Sequence, residues 1–176
     1  MTRRVASELS NRLDSADIEL PIERLRVATS FVRNMEYATD ESATGEVEYP
    51  KFVTETLMEN GGDCEDLSSV LAGILCSPPF DYEPVLIFFS GHVGIGLDPS
   101  NIHMPTEQFL TVGGQEYFYI DASHDIPLGV VPDEYQKPGV IATYDGQWQT
   151  IDPAALKEHA TTTIANDTNL DIRDYI

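Results

Sequence analysis

The chain has few cysteines, few basic residues and no long apolar run, and each shortage excludes a class of protein. Its 176 residues include 2 cysteines, Cys64 and Cys76. Both fall on one predicted helix, about 18 Å apart along its axis, so they cannot bridge each other. A disulfide framework is therefore excluded, which favours a reducing compartment and, by default, the cytoplasm.

Positive charge is scarce. The chain carries 10 Lys and Arg against 30 Asp and Glu, which gives a formal net charge of -20. Without a basic patch to displace counterions, the surface should repel nucleic acid and anionic membranes, so we expect neither as a partner. The acids are spread along the whole chain. This composition resembles that of proteins from salt-loving archaea, in which high salt screens the repulsion between carboxylates.

The apolar runs are too short to span a membrane, and no apolar segment of the kind found in signal peptides follows Arg3 and Arg4. The apolar content of 41% is typical of a globular protein. A chain of this length suits one domain. We expect its core at about residues 22–145 and a C-terminal helix and tail at 150–176.

The hydrophobic pattern changes along the chain from helical spacing to alternation. Apolar residues at helical spacing predict helices over residues 3–14, 22–37, 52–58 and 64–76. Alternation predicts strands over residues 84–89, 92–97, 109–112, 115–120 and 140–144, with a glycine hairpin turn at 113–114. A last helix is predicted over residues 153–160. Helices followed by antiparallel strands predict an α+β fold.

The segment GGDCEDLSSVL places Cys64 at the start of the clearest predicted helix. Asp63 is the expected N-cap, with Asp66 imitating a capping box. The unpaired N–H groups and the dipole at this end favour the thiolate, and the Cys64 N–H could stabilise an oxyanion. We expect the carboxylates of Glu65 and Asp66 to project away from the thiol. The glycines at 61–62 would let another chain approach it.

A thiol nucleophile needs a base, and the best-placed histidine is His92. It begins a predicted strand whose following same-face residues are Gly94 and Gly96, which would leave an open trough for an extended substrate. If His92 pairs with Asp121 on an antiparallel neighbour, the carboxylate lies on the same face and fixes the imidazole tautomer. The residues leave two alternatives open at this point, because His124 or Asp125 could replace Asp121 as the partner of His92.

Three segments occur in the order Cys, His, Asp: GDCEDLSSVL, GHVGIGL, and YFYIDAS followed by PLG, with EYPKFVTETL ahead of them. Together they resemble the transglutaminase-like superfamily, in particular its prokaryotic transglutaminase-like cysteine peptidases, over roughly residues 25–130. The resemblance implies a papain-like core with the cysteine helix packed on an antiparallel sheet. It implies Cys64 as nucleophile, His92 as base and Asp121 as orienting group. It also implies an upstream side chain in the oxyanion hole, for which Tyr49 is the candidate.

The leading hypothesis is a cysteine-dependent acyl-transfer enzyme that acts on a protein or peptide and needs no cofactor. Hydrolysis of a peptide or isopeptide bond is preferred, with transfer to an amine second. Cys64 should then be alkylated with a pH midpoint well below 8.5. The alternative is a non-catalytic module that binds peptides beside Gly94 and Gly96, and a purely structural domain comes third. The scattered Cys and His residues show no ligand spacing, so no metal site is predicted.

Overall fold

The computed structural model describes residues 1–102, 109–112, 115–135, 140–144 and 148–150. The helices are α1 (Thr2–Ser15), α2 (Pro21–Arg33), α3 (Asp40–Ala43), α4 (Val53–Glu59) and α5 (Cys64–Leu75). The strands are β1 (Glu36–Tyr37), β2 (Gly61–Gly62), β3 (Val85–Phe89), β4 (His92–Leu97), β5 (Leu110–Val112), β6 (Gln115–Ile120), β7 (Val140–Tyr144) and β8 (Trp148–Thr150). Apart from the two-residue strands β1 and β2, the helices come first and the strands follow, which is the α+β fold expected from the sequence.

Six strands form one antiparallel sheet in the order β5-β6-β4-β3-β7-β8. Its two faces bury different residues, as the alternation in the sequence predicts. On the helix face, Val93, Ile95 and Leu97 of β4 join the main core beneath the helices. The second face carries a smaller apolar cluster, which consists of Val85, Ile87, Phe89, Leu110, Tyr117, Tyr119 and Ile141.

Helix α5 is the centre of the main core. It contacts α1, α2, α4 and β4. Its predicted apolar stripe is confirmed as buried: Leu67, Val70, Leu71, Ile74 and Leu75. Each such side chain contributes about 1.5–3 kcal/mol when it leaves water, so the position of the first turn of α5 is strongly determined by packing.

The end of α2 differs from the prediction. The helix ends at Arg33 rather than residue 37, and Glu36–Tyr37 forms a parallel pair with Gly61–Gly62. A Cβ on Gly61 would lie 2.7 Å from the Glu36 carbonyl oxygen, so this close pairing requires glycine. The chain that approaches the glycines is therefore β1, and it brings Tyr37 beside the residues that precede Cys64.

Several predictions concern residues outside the described ranges, namely the hairpin turn at 113–114, the helix at 153–160 and the tail after it. The pairing that the turn would connect is present, because Val112 lies opposite Gln115. The predicted strand at 140–144 is confirmed next to β3. Among the described residues, no helix has the length and apolar character needed to cross a membrane.

Candidate active site

His92 and Asp121 are in direct contact. The imidazole Nε2 lies 2.8 Å from Asp121 Oδ2, and both residues are buried. The β4–β6 ladder begins at the pair Ile95 and Ile120, which places position 121 at the level of Gly94. The predicted register, with 92 opposite 121, is therefore wrong by two residues. A shift of two leaves every side chain on its predicted face, so the carboxylate still reaches the imidazole.

The register is explained by the way two tyrosines cover the glycines of β4. A Cβ on Gly94 would lie 2.7 Å from the Tyr119 hydroxyl oxygen, and a Cβ on Gly96 would lie 3.0 Å from Tyr117 Cδ1. Only glycine permits this approach. The trough that the sequence predicted beside His92 is consequently filled by the protein itself. The prediction of an open groove there is wrong, and with it the site expected for a peptide-binding module.

The Asp121 carboxylate accepts five hydrogen bonds. Oδ2 is bonded to His92 and to the Tyr119 hydroxyl at 3.1 Å. Oδ1 accepts from the N–H groups of Ser123 and His124, at 2.9 and 2.7 Å, and from the Ser123 hydroxyl at 3.1 Å. Burial alone would raise the Asp121 pKa, but His92 and these N–H donors hold it well below its usual range. Because an ionised carboxylate only accepts, Nε2 is the donor of this bond, and in a neutral imidazole the lone pair is then on Nδ1.

Arg33 of α2 fixes the backbone of the Asp121 loop. Its Nε and Nη2 donate to the Asp121 carbonyl at 3.1 and 2.8 Å, and Nη2 also donates to the Ile126 carbonyl at 2.6 Å. Its Nη1 lies 3.5 Å from the exposed carboxylate of Asp125. Of the alternatives considered for the partner of His92, Asp125 thus pairs with Arg33, and Asp121 is the residue in contact with the imidazole.

Aromatic rings fix the plane of the His92 ring. Tyr135 stacks on it at 4.5 Å between centroids and 8° between planes. Phe89, directly opposite on β3, lies 6.3 Å away, and His124 meets the ring edge at 5.2 Å. Only 5% of His92 is exposed. The imidazole is therefore oriented by packing as well as by its hydrogen bond.

Cys64 is the first residue of α5, as predicted, and Asp63 Oδ1 accepts the Asp66 N–H at 3.5 Å as the N-cap. The surroundings of the thiol differ from the prediction. Its Sγ donates to Glu65 Oε2 at 3.2 Å, so Glu65 does not project away. Burial and then the Glu65 charge raise the Cys64 pKa, whereas the backbone of Val93 acts in the opposite direction. The thiol, and not the thiolate, is the resting form, so an alkylation midpoint well below 8.5 is no longer expected.

The start of α5 is hydrogen-bonded to the first residues of β4, which do not pair with β6. Ser68 donates to the Val93 carbonyl at 3.0 Å, and the Val93 backbone also interacts with the Cys64 thiol. Val93 directly follows His92 in the chain. The Cys64 side chain packs with the helix-face core, whereas that of His92 lies on the second face beside Phe89. The thiol therefore lies on the helix face of the sheet and the imidazole on the second face, both at the end of β4 that begins with His92.

Asp66 has a different role from the predicted capping box. Its Oδ1 accepts the Lys51 N–H at 3.0 Å, and Oδ2 has no hydrogen-bond partner among the described residues. Burial raises the Asp66 pKa to about 6. The ammonium of Lys51 donates to the Gly61 carbonyl and pairs with Glu59, both at 3.2 Å. This network ties the segment before α4 to the glycines that precede Cys64.

Two tyrosines, Tyr49 and Tyr37, are candidates for the side-chain donor of the predicted oxyanion hole. The Tyr49 hydroxyl donates to Glu55 at 3.1 Å, and the residue is 40% exposed. Tyr37 interacts electrostatically with Cys64, and its ring lies 6.0 Å from that of His124. Burial and then Cys64 raise the Tyr37 pKa to about 12, so its hydroxyl is a donor at neutral pH. Tyr37 carries no signal in the sequence, because only the parallel β1–β2 pairing brings it near the cysteine.

The fold also brings metal-binding residue types together where their spacing in the sequence gave no signal. One group consists of His92, Asp121 and His124, whose nearest ligand atoms all lie within 4.8 Å of one another. A second group has only carboxylates, from Asp40, Glu48 and Glu65. Exposed acidic groups are common in proteins without an ion, so only the mixed group is chemically distinctive.

Comparisons with known proteins support the fold. No protein-family model matches the chain, and no curated protein matches its sequence. Among solved structures, Legionella pneumophila LapG is similar with a TM-score of 0.51, 17% identity and coverage of 94% of each chain. EGTA-treated LapG gives a TM-score of 0.50 at 16% identity over 94% of this chain and 95% of LapG. The chain therefore shares with LapG a papain-like, transglutaminase-like fold.

Proposed function

We propose that this chain is a cysteine-dependent acyl-transfer enzyme that hydrolyses peptide or isopeptide bonds. The observation that carries the proposal is the buried His92–Asp121 pair at the end of β4, next to the helix that begins with Cys64. A papain-like fold of the kind found in LapG, a transglutaminase-like cysteine protease, agrees with this chemistry. The substrate is a protein or peptide, and the site residues need no cofactor for the reaction. We also propose that the chain forms one domain.

In the proposed reaction, His92 Nδ1 accepts the Cys64 proton while the sulfur attacks the substrate carbonyl carbon. The carbonyl π-electrons move to oxygen and form a tetrahedral oxyanion. When the oxyanion collapses, the C–N bond breaks, the imidazolium gives its proton to the leaving amine, and an acyl-thioester remains. Water, deprotonated by His92, then attacks the thioester and releases the acid and the thiol. Asp121 keeps the second imidazole proton on Nε2 throughout.

The oxyanion requires donors at the start of α5. The Cys64 N–H has no partner within the helix and lies at the positive end of its dipole. Tyr49, the side chain expected from the family resemblance, donates to Glu55. Tyr37 has its protonated hydroxyl in the electrostatic surroundings of the thiol. We therefore assign Tyr37 rather than Tyr49 as the side-chain donor.

In the proposed mechanism, the part of β4 that does not pair with β6 is where the thiol and the imidazole, which lie on different faces of the sheet, would exchange a proton. Between His92 and Ile95 the strand β4 has no β6 neighbour. The start of α5 therefore reaches the β4 backbone directly, through the hydrogen bond from Ser68 to the Val93 carbonyl. A resting thiol beside Glu65 suits a mechanism in which deprotonation accompanies attack. Hydrolysis is preferred over amine transfer, and a competing primary amine in the assay would reveal transfer as an adduct on the acyl product.

The test measures whether Cys64 reactivity depends on His92. A Cys76→Ser background leaves Cys64 as the single thiol of a chain with 2 cysteines. Carboxamidomethylation by iodoacetamide is followed by mass spectrometry, and the same chain unfolded in urea gives the intrinsic rate. We expect His92→Gln to slow labelling by about 100-fold, at the lower end of general-base effects, and Asp121→Asn to slow it by about 10-fold.

Two results would contradict the proposal. One is an equal labelling rate in the folded parent and in His92→Gln, when circular dichroism shows both folded. The other is failure of a peptidyl vinyl sulfone to label Cys64 in the folded chain. Cys64→Ala is the control, because it must abolish labelling by both reagents.

A further inference from the structure

We propose that His92, Asp121 and His124 form a site for a zinc-like divalent cation, and that occupancy of this site inhibits the enzyme. The three side chains offer two imidazoles and a carboxylate, with ligand atoms within 4.8 Å of one another. Asp121 Oδ2 lies 2.8 Å from His92 Nε2, and Oδ1 lies 3.5 Å from His124 Nδ1. Tetrahedral zinc with bonds near 2.1 Å places its ligands about 3.4 Å apart, so binding would widen the 2.8 Å separation of Asp121 Oδ2 and His92 Nε2.

The donor set selects the kind of cation. Imidazole nitrogen suits zinc and other late transition metals, whereas magnesium prefers six oxygen ligands at short distances. Two histidines and one carboxylate leave the fourth zinc position open to water. The second group, Asp40, Glu48 and Glu65, has oxygen ligands only, so a hard cation such as magnesium would prefer it to the group with two imidazoles.

The surroundings of the site meet the further requirements for a metal. Asp121 is fixed by Tyr119 and by Arg33, so one ligand is already oriented. His124 has 51% of its side chain exposed, which gives the ion access and lets this ring turn toward it. The Ser123 hydroxyl, 3.0 Å from His124 Nδ1, would give up that contact when the metal binds.

The inhibitory consequence rests on the proposed function. In the absence of metal the hydrogen of the neutral His92 ring is on Nε2, where it is donated to Asp121. A metal bound at Nε2 requires this nitrogen's lone pair, so the hydrogen moves to Nδ1. Nδ1 is the nitrogen that would accept the Cys64 proton. Zinc would therefore remove the base without touching the nucleophile.

The test measures zinc binding in a chain without thiols, Cys64→Ala with Cys76→Ser, by competition with a chromogenic chelator. We expect one zinc ion per chain, and His124→Ala to weaken its binding by at least about 10-fold, the lower end of what loss even of an outer-shell partner causes. Asp125→Asn is the matched control, because it removes an adjacent exposed charge that is not a ligand. Excess magnesium should leave the affinity unchanged.

Equal zinc affinity in His124→Ala, no binding to the thiol-free chain, or displacement of zinc by magnesium would each overturn the site. In the Cys76→Ser chain, zinc should slow alkylation of Cys64, and His124→Ala should relieve that inhibition by at least about 10-fold in zinc concentration. Zinc binding that does not slow alkylation would overturn the inhibitory part. The inhibitory part rests on the proposed function, which fails if labelling does not depend on His92. Zinc binding to the thiol-free chain tests the metal site independently of that outcome.

Discussion

Replacing Gly94 with alanine tests how tightly Tyr119 is fixed against β4. An added Cβ would lie 2.7 Å from the Tyr119 hydroxyl oxygen and 2.9 Å from its Cζ. The tyrosine is fully buried, and its hydroxyl donates to Asp121 at 3.1 Å. The ring cannot move away from a new methyl group without breaking that hydrogen bond and disturbing its neighbours on the second face.

The expected loss of stability follows from three effects. Overpacking a well-packed site costs about 1–3 kcal/mol. Loss of a hydrogen bond to a charged group costs about 1.5–3 kcal/mol. Alanine regains about 0.5–1 kcal/mol over glycine in a strand. Gly94→Ala should therefore lower the free energy of unfolding by about 2–5 kcal/mol, a large fraction of the stability of most domains.

Urea unfolding followed by circular dichroism measures this change, and α5 offers a matched control. A Cβ on Gly73 would lie 2.8 Å from Thr2 Cγ2, the end of a side chain near the start of the chain. That methyl group can move, and alanine is favoured over glycine in a helix by about 1 kcal/mol. Gly73→Ala should thus leave the unfolding free energy unchanged or raise it slightly.

A double-mutant cycle with Tyr119→Ala attributes the effect to the ring. Once the tyrosine is truncated, Gly94→Ala should lose most of its cost, with a coupling energy of about 2 kcal/mol, inside the range measured for residues in contact. Additive free energies, or a Gly94→Ala variant as stable as the parent, would refute the packing argument.

Three further predictions concern charged residues around the site. Glu65→Gln removes the charge that raises the Cys64 pKa, so the pH midpoint of Cys64 alkylation should fall. Arg33→Met leaves the Asp121 carbonyl without its donors and should lower the unfolding free energy by about 2–3 kcal/mol. Asp66 has its pKa raised to about 6, so the folded state binds its proton more tightly than the unfolded state. Stability should therefore fall as the pH rises from about 4 to 6, by at most about 3 kcal/mol, and Asp66→Asn should flatten this slope in urea titrations.

Each of these predictions has a control and a contrary outcome. Glu59→Gln is the control for Glu65→Gln, because the Glu59 charge is not among the groups that raise the Cys64 pKa. An equal fall in the pH midpoint of Cys64 alkylation in Glu59→Gln would argue against a local effect of Glu65. Arg26 forms an exposed ion pair with Glu23, so Arg26→Met should change stability by less than about 0.5 kcal/mol. An unaltered pH slope in Asp66→Asn would show that another carboxyl group causes the dependence.

Much of the fold follows from patterns visible in the sequence. The stripe on α5 and the alternation on β4 predicted which residues face the core, because a helix repeats every 3.6 residues and a strand every two. The same parity placed His92 and Asp121 on one face even though the register was two residues off. The register itself depends on how Tyr119 packs over Gly94, which is a contact between distant residues that no local pattern reveals.

The surroundings of Cys64 were harder to predict for a related reason. Helix geometry alone indicates where neighbouring Cβ atoms point, but long side chains such as Glu65 turn back when a donor is near. Tyr37 reaches the site through a two-residue parallel pair, too short for any periodicity to show. Asp66 looked like a capping residue, and its carboxylate instead binds the backbone of Lys51, fifteen positions earlier in the chain.

The opposite pKa shifts of the two acidic groups have a common consequence for the proposed mechanism. Asp121 remains ionised and fixes the imidazole, whereas Cys64 remains protonated beside Glu65. The raised pKa of the thiol therefore disfavours a thiolate in the resting state. Alkylating and oxidising agents act on the thiolate, so a protonated Cys64 reacts with them only as fast as His92 can take its proton. On this view the acidic residues around the cysteine lower its reactivity while no substrate is bound, and His92 supplies the reactivity that remains.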